Sequence, residues 1–163
     1  MVAARGGDTS AMSALVAVLA DRLGPVCGAI ALDDGDDALQ EALIVVLRNL
    51  GDLREPAAVV GWARRIAVRE AVRVAARRNR AVLVADVDAG AAPPAEVNVD
   101  VDLGLDVRAT LAALAPEHRA VLALRHLEGL SEEDAAEVLQ VAPGTVKSRS
   151  ARARVAFRRR WSP

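Results

Sequence analysis

Lysine and arginine dominate the last turns of this chain. From Ser131 to Trp161 it reads SEEDAAEVLQVAPGTVKSRSARARVAFRRRW, acidic at first, broken at Pro143-Gly144, then basic with no acidic residue after Glu137. Such residues recognise polyanions: guanidinium and ammonium groups neutralise phosphates, and short polar side chains between them reach base edges. A second basic stretch, ARRIAVREAVRVAARRNR from Ala63 to Arg80, carries seven arginines against one Glu. Between the two, Ala85 to Asp106 carries six acids and no base, with Pro, Ala and Gly interspersed. A further acidic run, DDGDDALQE, spans Asp33 to Glu41. Two basic segments around an acidic spacer predict two polyanion-binding units and a linker. For either segment alone, a solvated helix face is the plainer account.

Residues for catalysis or metal binding are sparse. The two histidines, His118 and His126, lie eight apart, and no carboxylate–Cys set completes a metal site around them. No Gly-rich phosphate loop follows a strand. The acids Asp33 to Asp37 lack the order of a calcium loop. The single cysteine, Cys27 in LGPVCGAIAL, excludes an intramolecular disulfide framework and reads as a small core residue. No catalytic residue, metal or cofactor is therefore expected, and the chain reads as a non-enzyme. One cysteine suits a reducing cytoplasm. The start, MVAARGGDTSAMSALV, lacks a secretory pattern, and no unbroken apolar run predicts membrane insertion.

Elements must hold these residues in place, and the chain reads as helical nearly throughout. It is rich in Ala, Val and Leu but has one Phe, two Trp and no Tyr in 163 residues, so the core is aliphatic. Helices are expected over about 11–23, 36–49 (Leu39, Leu43, Val46, Leu47 and Leu50 at helical spacing), 57–79 and 107–115. LGDLREP marks a turn. Residues 81–106 read as linker, with AVLVADV an alternative short strand. Pro116 opens a fifth helix, stopped by Gly129.

Ser131 then caps a short helix ending near Leu139, and Pro143 opens a last helix to about Arg160. Short helix, tight turn and longer basic helix make a helix-turn-helix pattern. On the wheel of the last helix, Val146, Ser150, Ala153 and Phe157 share one side. Lys147, Ser148, Ala151, Arg152 and Val155 point the other way, where they would meet DNA.

These residues carry a family resemblance. The run LAALAPEHRAVLALRHLEGLSEEDAAEVLQVAPGTVKSRSARARVAF resembles region 4 of bacterial RNA polymerase sigma factors of the extracytoplasmic-function (ECF) group. DDALQEALIVVLRNLGDLREPAAVVGWARRIAVREAVRVAARR resembles region 2 of the same group. The resemblance implies an all-α fold of two small domains: region 2-like over 11–80 and a region 4-like helix-turn-helix over 107–161, joined by a flexible acidic linker over 81–106. It implies a cytoplasmic protein that directs promoter recognition and transcription initiation. Its partners would be core RNA polymerase (the largest-subunit clamp helices and the flap) and promoter DNA, with an anti-sigma factor a further candidate. Asp37, Gln40 and Glu41 match the motif that docks on the clamp. Arg54, in the loop Gly51–Glu55, together with Trp62, Arg65, Arg69 and Arg73, matches the surface that captures the minus-10 element, although Trp62 reads equally as a core anchor. Thr145, Lys147, Ser148, Ala151 and Arg152 match the positions facing the minus-35 element. Glu117 and Arg119 are weaker candidates for contact with DNA or the flap.

Departures from the family pattern concentrate in a few places. The usual WLYRIARN reads WARRIAVR, placing Arg64 and Arg69 where an aromatic and an Asn are usual. Leu43, Leu47 and Leu53 stand where aromatics are common. Base stacking contributes roughly 1–3 kcal/mol per base, so their loss predicts weaker or differently organised promoter melting. Ser150 replaces a buried Leu and Gln140 a turn Gly, each at a cost in stability. Two other readings remain open: a helix-turn-helix regulator that no longer engages polymerase, and a protein-interaction module that only binds a regulator.

Overall fold

The computed structural model describes residues 6–89 and 103–161. Among them the regular elements are helices, with no strand. The expected linker lies mostly at 90–102, outside the described residues; of the rest, 81–89 continues a helix and 103 begins another.

Three helices form the first unit: α1 (Thr9–Ala31), α2 (Gly35–Arg48) and α3 (Val59–Ala89). Asp8 caps α1, its side chain accepting from the Ala11 N–H at 2.9 Å. Expected to end near Leu23, α1 instead continues through Pro25, because Leu19, Leu23, Val26, Cys27 and Ile30 form one buried stripe. Pro25 leaves the Asp21 carbonyl without its usual N–H, and Asp21 is an exposed residue. A window within Thr9–Arg48 is apolar and long enough to cross a membrane by composition alone, contrary to expectation. Here its apolar side chains are used to build a core. Burial also pushes the Cys27 thiol up to about 12.

α1 and α2 meet at a corner made by Leu32, whose φ of 58° lies in the left-handed region. The helices touch through two glycines: a Cβ on Gly35 would lie 2.8 Å from the Gly28 Cα. Ala38, Ala42 and Val46 of α2 and Ala63, Ala67 and Ala71 of α3 continue this close packing with small side chains. Leu50–Asp52 and Pro56–Ala58 are single 3-10 turns in the expected turn region. Helix α3 overruns its expected end near Asn79 by ten residues, to Ala89, so the suggested strand at AVLVADV is helical.

The second unit holds α4 (Leu103–Ala112), α5 (Pro116–Leu122), a wide turn at Ala123–Leu127, α6 (Glu132–Leu139) and α7 (Pro143–Arg160). Its local signals act as expected. Pro116 and Pro143 open helices, and Gly129 stops one at φ 67°. Ser131 caps α6, accepting from the Asp134 N–H at 3.0 Å. Gln140 ends α6 at φ 55°, ψ 45°, a left-handed position that favours Gly.

The two units pack against each other. α5 and α6 lie on α3, α5 also touches α1, and the buried side chains of both units form one continuous cluster.

Candidate nucleic-acid interface

The outward face of α7 is set by its inward one. Val146, Ser150 and Ala153 are buried, which turns Lys147, Ser148, Ala151 and Arg152 to solvent, with Thr145 half-buried beside them. The Arg152 guanidinium folds back on its own helix, donating to the Ser148 carbonyl and to Ser148 Oγ, each at 3.3 Å. Ser148 Oγ in turn donates to the Thr145 carbonyl at 3.1 Å. Lys147, Arg149, Arg152, Arg154 and Arg158 to Arg160 find no carboxylate partner among the described residues. A row of unneutralised cations beside short polar side chains is a surface fit for phosphates and base edges.

The basic face of α3 is different. Arg73 pairs with Glu41 and Glu70, and Arg77 with Glu41 at 2.7 Å. Arg78 pairs with Asp34 at 2.8 Å and Asp33 at 3.4 Å. Asp33 is also held by Arg108 of α4 at 2.6 Å, and that hydrogen bond and charge keep its carboxyl below the usual Asp range. The acidic run of α2 and much of the basic run of α3 thus neutralise each other. Read as a polyanion-binding segment, α3 in this conformation instead spends Arg64, Arg65, Arg73, Arg77 and Arg78 on carboxylates. The physical reason is tertiary: α2 and the turn before it pack along α3 and bring Asp33, Asp34 and Glu41 within reach, and the second unit supplies Glu128 and Glu137.

Arginines at the other end of that face cross to the second unit. Arg64 Nε lies 3.0 Å from Glu128, with both side chains largely buried (25% and 15% exposed). It is a charge contact without a directed hydrogen bond, since Arg64 Nε has no hydrogen-bond partner among the described residues. Arg65 reaches Glu137 at 2.7 Å and Arg69 reaches Gln140 at 3.5 Å. Arg65, Arg69 and Arg73, matched to the minus-10 surface, are therefore all engaged within the chain. Arg54 is exposed. Trp62 is half-buried against the core, as its core reading has it.

On α2, Asp37 and Gln40 are exposed, while Glu41 is half-buried under Arg73 and Arg77. Glu117 is exposed, but Arg119 is only 4% exposed and faces the first unit, so it is out of reach of DNA here. Burial holds its pKa below the ordinary arginine value. Glu128 and Glu137 were not singled out beforehand. The signal lay across the seam, in the unusual Arg64, Arg69 and Gln140.

Two helical units, the second ending in a helix-turn-helix, match the arrangement that the sequence resemblance to sigma-70 regions 2 and 4 implies. The family model for "Sigma-70, region 4" matches residues 104–157. Over 127 residues the chain is 38% identical to the ECF RNA polymerase sigma factor SigM of Mycobacterium tuberculosis, the match covering 78% of this chain and 64% of that protein. Against the RNA polymerase sigma-H factor of Pseudomonas aeruginosa it is 34% identical over 143 residues, covering 80% of this chain and 74% of that protein. The ECF RNA polymerase sigma-E factor of Escherichia coli K12 is 32% identical, with 80% and 75% covered. The chain belongs to the ECF sigma factor family. Among solved structures, the sigma factor RpoE of Bartonella quintana, determined with the anti-sigma factor NepR, has the same fold. Its TM-score is 0.66 at 24% identity, covering 93% of this chain and 97% of that one. CnrH, determined with the cytosolic domain of CnrY, gives 0.61 at 23% identity, covering 97% and 92%.

Proposed function

We propose that this chain is a promoter-recognition subunit of RNA polymerase, acting in the cytoplasm as a DNA-binding regulator with no catalytic step of its own. The observation that carries the reading is the outward face of α7, where cations without carboxylate partners among the described residues alternate with short polar side chains. Thr145, Lys147, Ser148, Ala151 and Arg152 read the minus-35 element. Arg54, Trp62, Arg65, Arg69 and Arg73 of the region 2-like domain (11–80) hold the minus-10 element. Asp37, Gln40 and Glu41 dock on the polymerase clamp. The region 4-like domain spans 107–161, and 81–106 joins the two.

The closed arrangement bears on how these surfaces work. Arg65 and Arg69 cannot hold a DNA strand while they hold Glu137 and Gln140, so promoter binding requires the seam to open. An anti-sigma protein, of the kind solved with the Bartonella structure, would act by keeping it shut. In vitro transcription with core polymerase on promoters from the neighbouring genome tests the reading. Specific initiation that depends on this chain supports it. Duplex binding without polymerase recruitment would instead favour a DNA-binding regulator derived from a sigma factor.

A further inference from the structure

A buried guanidinium ordinarily has a carboxylate, because an unpaired charge removed from water is costly. Arg119 of α5 does not: it is 4% exposed, its Nε has no hydrogen-bond partner, and no ion pair holds it among the described residues. The acid that most influences it electrostatically, Glu117, is an exposed neighbour on its own helix. Arg119 lines a hollow of about 430 Å³ between α1, α4, α5 and α7. The walls include Leu111, Leu122 and Phe157; Arg154 and Arg158 stand at the rim, and no carboxylate among the described residues lines the hollow. A smaller hollow of about 180 Å³ on the other side of Arg119 contains Asp33, whose carboxylate is already taken by Arg108 and Arg78.

Apolar walls, a buried cation without a counter-charge among the described residues and a volume within the range of small-ligand sites, about 300–1,000 Å³, together define a binding site. We infer that this hollow binds a small amphipathic carboxylate, its head on Arg119 and its apolar chain along Leu111, Leu122 and Phe157. A slim chain suits the site. A partner helix, about 10–12 Å across with its side chains, is too thick to reach a guanidinium that is only 4% exposed in the wall of the hollow. Ala29 of α1 closes one side, so the site is complete only while the two units are packed together. Occupancy therefore favours the closed chain, since a ligand shifts an equilibrium toward the state that binds it better. That regulatory consequence rests on the promoter-recognition reading; the binding itself does not.

Calorimetric titration of the full chain with decanoate, decanol and decyltrimethylammonium tests the site. The expected result is saturable one-to-one binding of decanoate, at least tenfold tighter than decanol, with no saturable binding of the cation. Arg119→Met should bring decanoate down to the level of decanol. It should also retain the fold, because it removes an unpaired buried charge. Leu122→Trp, which fills the hollow, should abolish binding of both and decides the matter should Arg119→Met not fold. Equal binding of decanoate and decanol, binding unaffected by Leu122→Trp, or no saturable decanoate binding would overturn the proposal. Neither polymerase nor promoter is present, so a negative result leaves the transcription reading intact, and a failed transcription assay leaves this result intact.

Discussion

Removing the charge of Glu128 should open the seam between the two units. A fully buried ion pair costs about 3–5 kcal/mol to break from one side, and an exposed pair about 0.2–1. The Arg64–Glu128 pair lies between these limits, largely buried at 3.0 Å but without a directed hydrogen bond. About 1–2 kcal/mol is the reasonable value for Glu128→Gln, or roughly 5–30-fold in the ratio of open to closed chain. Glu137 is 70% exposed, so Glu137→Gln adds little. If the closed chain predominates, apparent affinity for single-stranded DNA scales with the open fraction. A 12-residue oligo-dT should then bind Glu128→Gln about 5–30-fold tighter than wild type, with a larger radius of gyration by X-ray scattering. Glu117→Gln makes the same change in net charge at an exposed site away from the seam and controls for simple electrostatics. The swap Arg64→Glu with Glu128→Arg should restore the compact radius. Equal effects of Glu128→Gln and Glu117→Gln, with no change in radius, would refute the reasoning.

Arg152→Ala should weaken binding to the cognate upstream element by about 1–3 kcal/mol while barely affecting scrambled duplex, measured by fluorescence anisotropy. Arg159→Ala should instead weaken both duplexes alike and reduce the salt slope by about one. Gly35→Ala should destabilise the first unit by about 1–3 kcal/mol in urea unfolding, because its Cβ meets the Gly28 backbone at 2.8 Å, where no side chain can yield. Cys27, fully buried with its thiol pushed up to about 12, should resist a disulfide reagent at pH 8 in the native chain and react once urea unfolds it.

What was legible in the sequence was what local chemistry decides. Pro116, Gly129, Ser131 and Pro143 each act within one turn of helix, so the starts of α5, α6 and α7 and the outward face of α7 could be read from spacing, whereas α4, expected over 107–115, runs Leu103–Ala112. Tertiary effects decided the remainder. Burial of Val26, Cys27 and Ile30 carries α1 through Pro25, against the local signal of a Gly-Pro pair. The Gly28–Gly35 contact needs two helices to cross, and neither glycine announces it alone. Charge blocks misled most. Arginine composition does not distinguish a cation awaiting phosphate from one already facing a carboxylate, and α3 and α7 divide on that point.

The seam turns that division into a choice between partners. Arg64, Arg69 and Gln140 are three of the positions where the chain leaves the family pattern, and each lies at the junction of the two units. Arg64 faces Glu128; Arg69 faces Gln140, which accepts a left-handed backbone that Gly would adopt without strain. Under the proposed role of Arg65, Arg69 and Arg73 in holding the minus-10 element, a side chain that stabilises the closed chain is withdrawn from DNA by the same contact. Phosphate and the acceptors of the seam would then compete for one set of guanidinium groups, so that DNA binding by the first unit and packing of the second would oppose each other. Salt acts on both sides of that balance, but unequally. It screens the exposed Arg65–Glu137 pair more than the largely buried Arg64–Glu128 pair, and counterion release weakens DNA binding more steeply than either. The closed form should accordingly persist at salt concentrations that strip DNA from the open one, which makes Glu128 the residue through which the balance is most directly set.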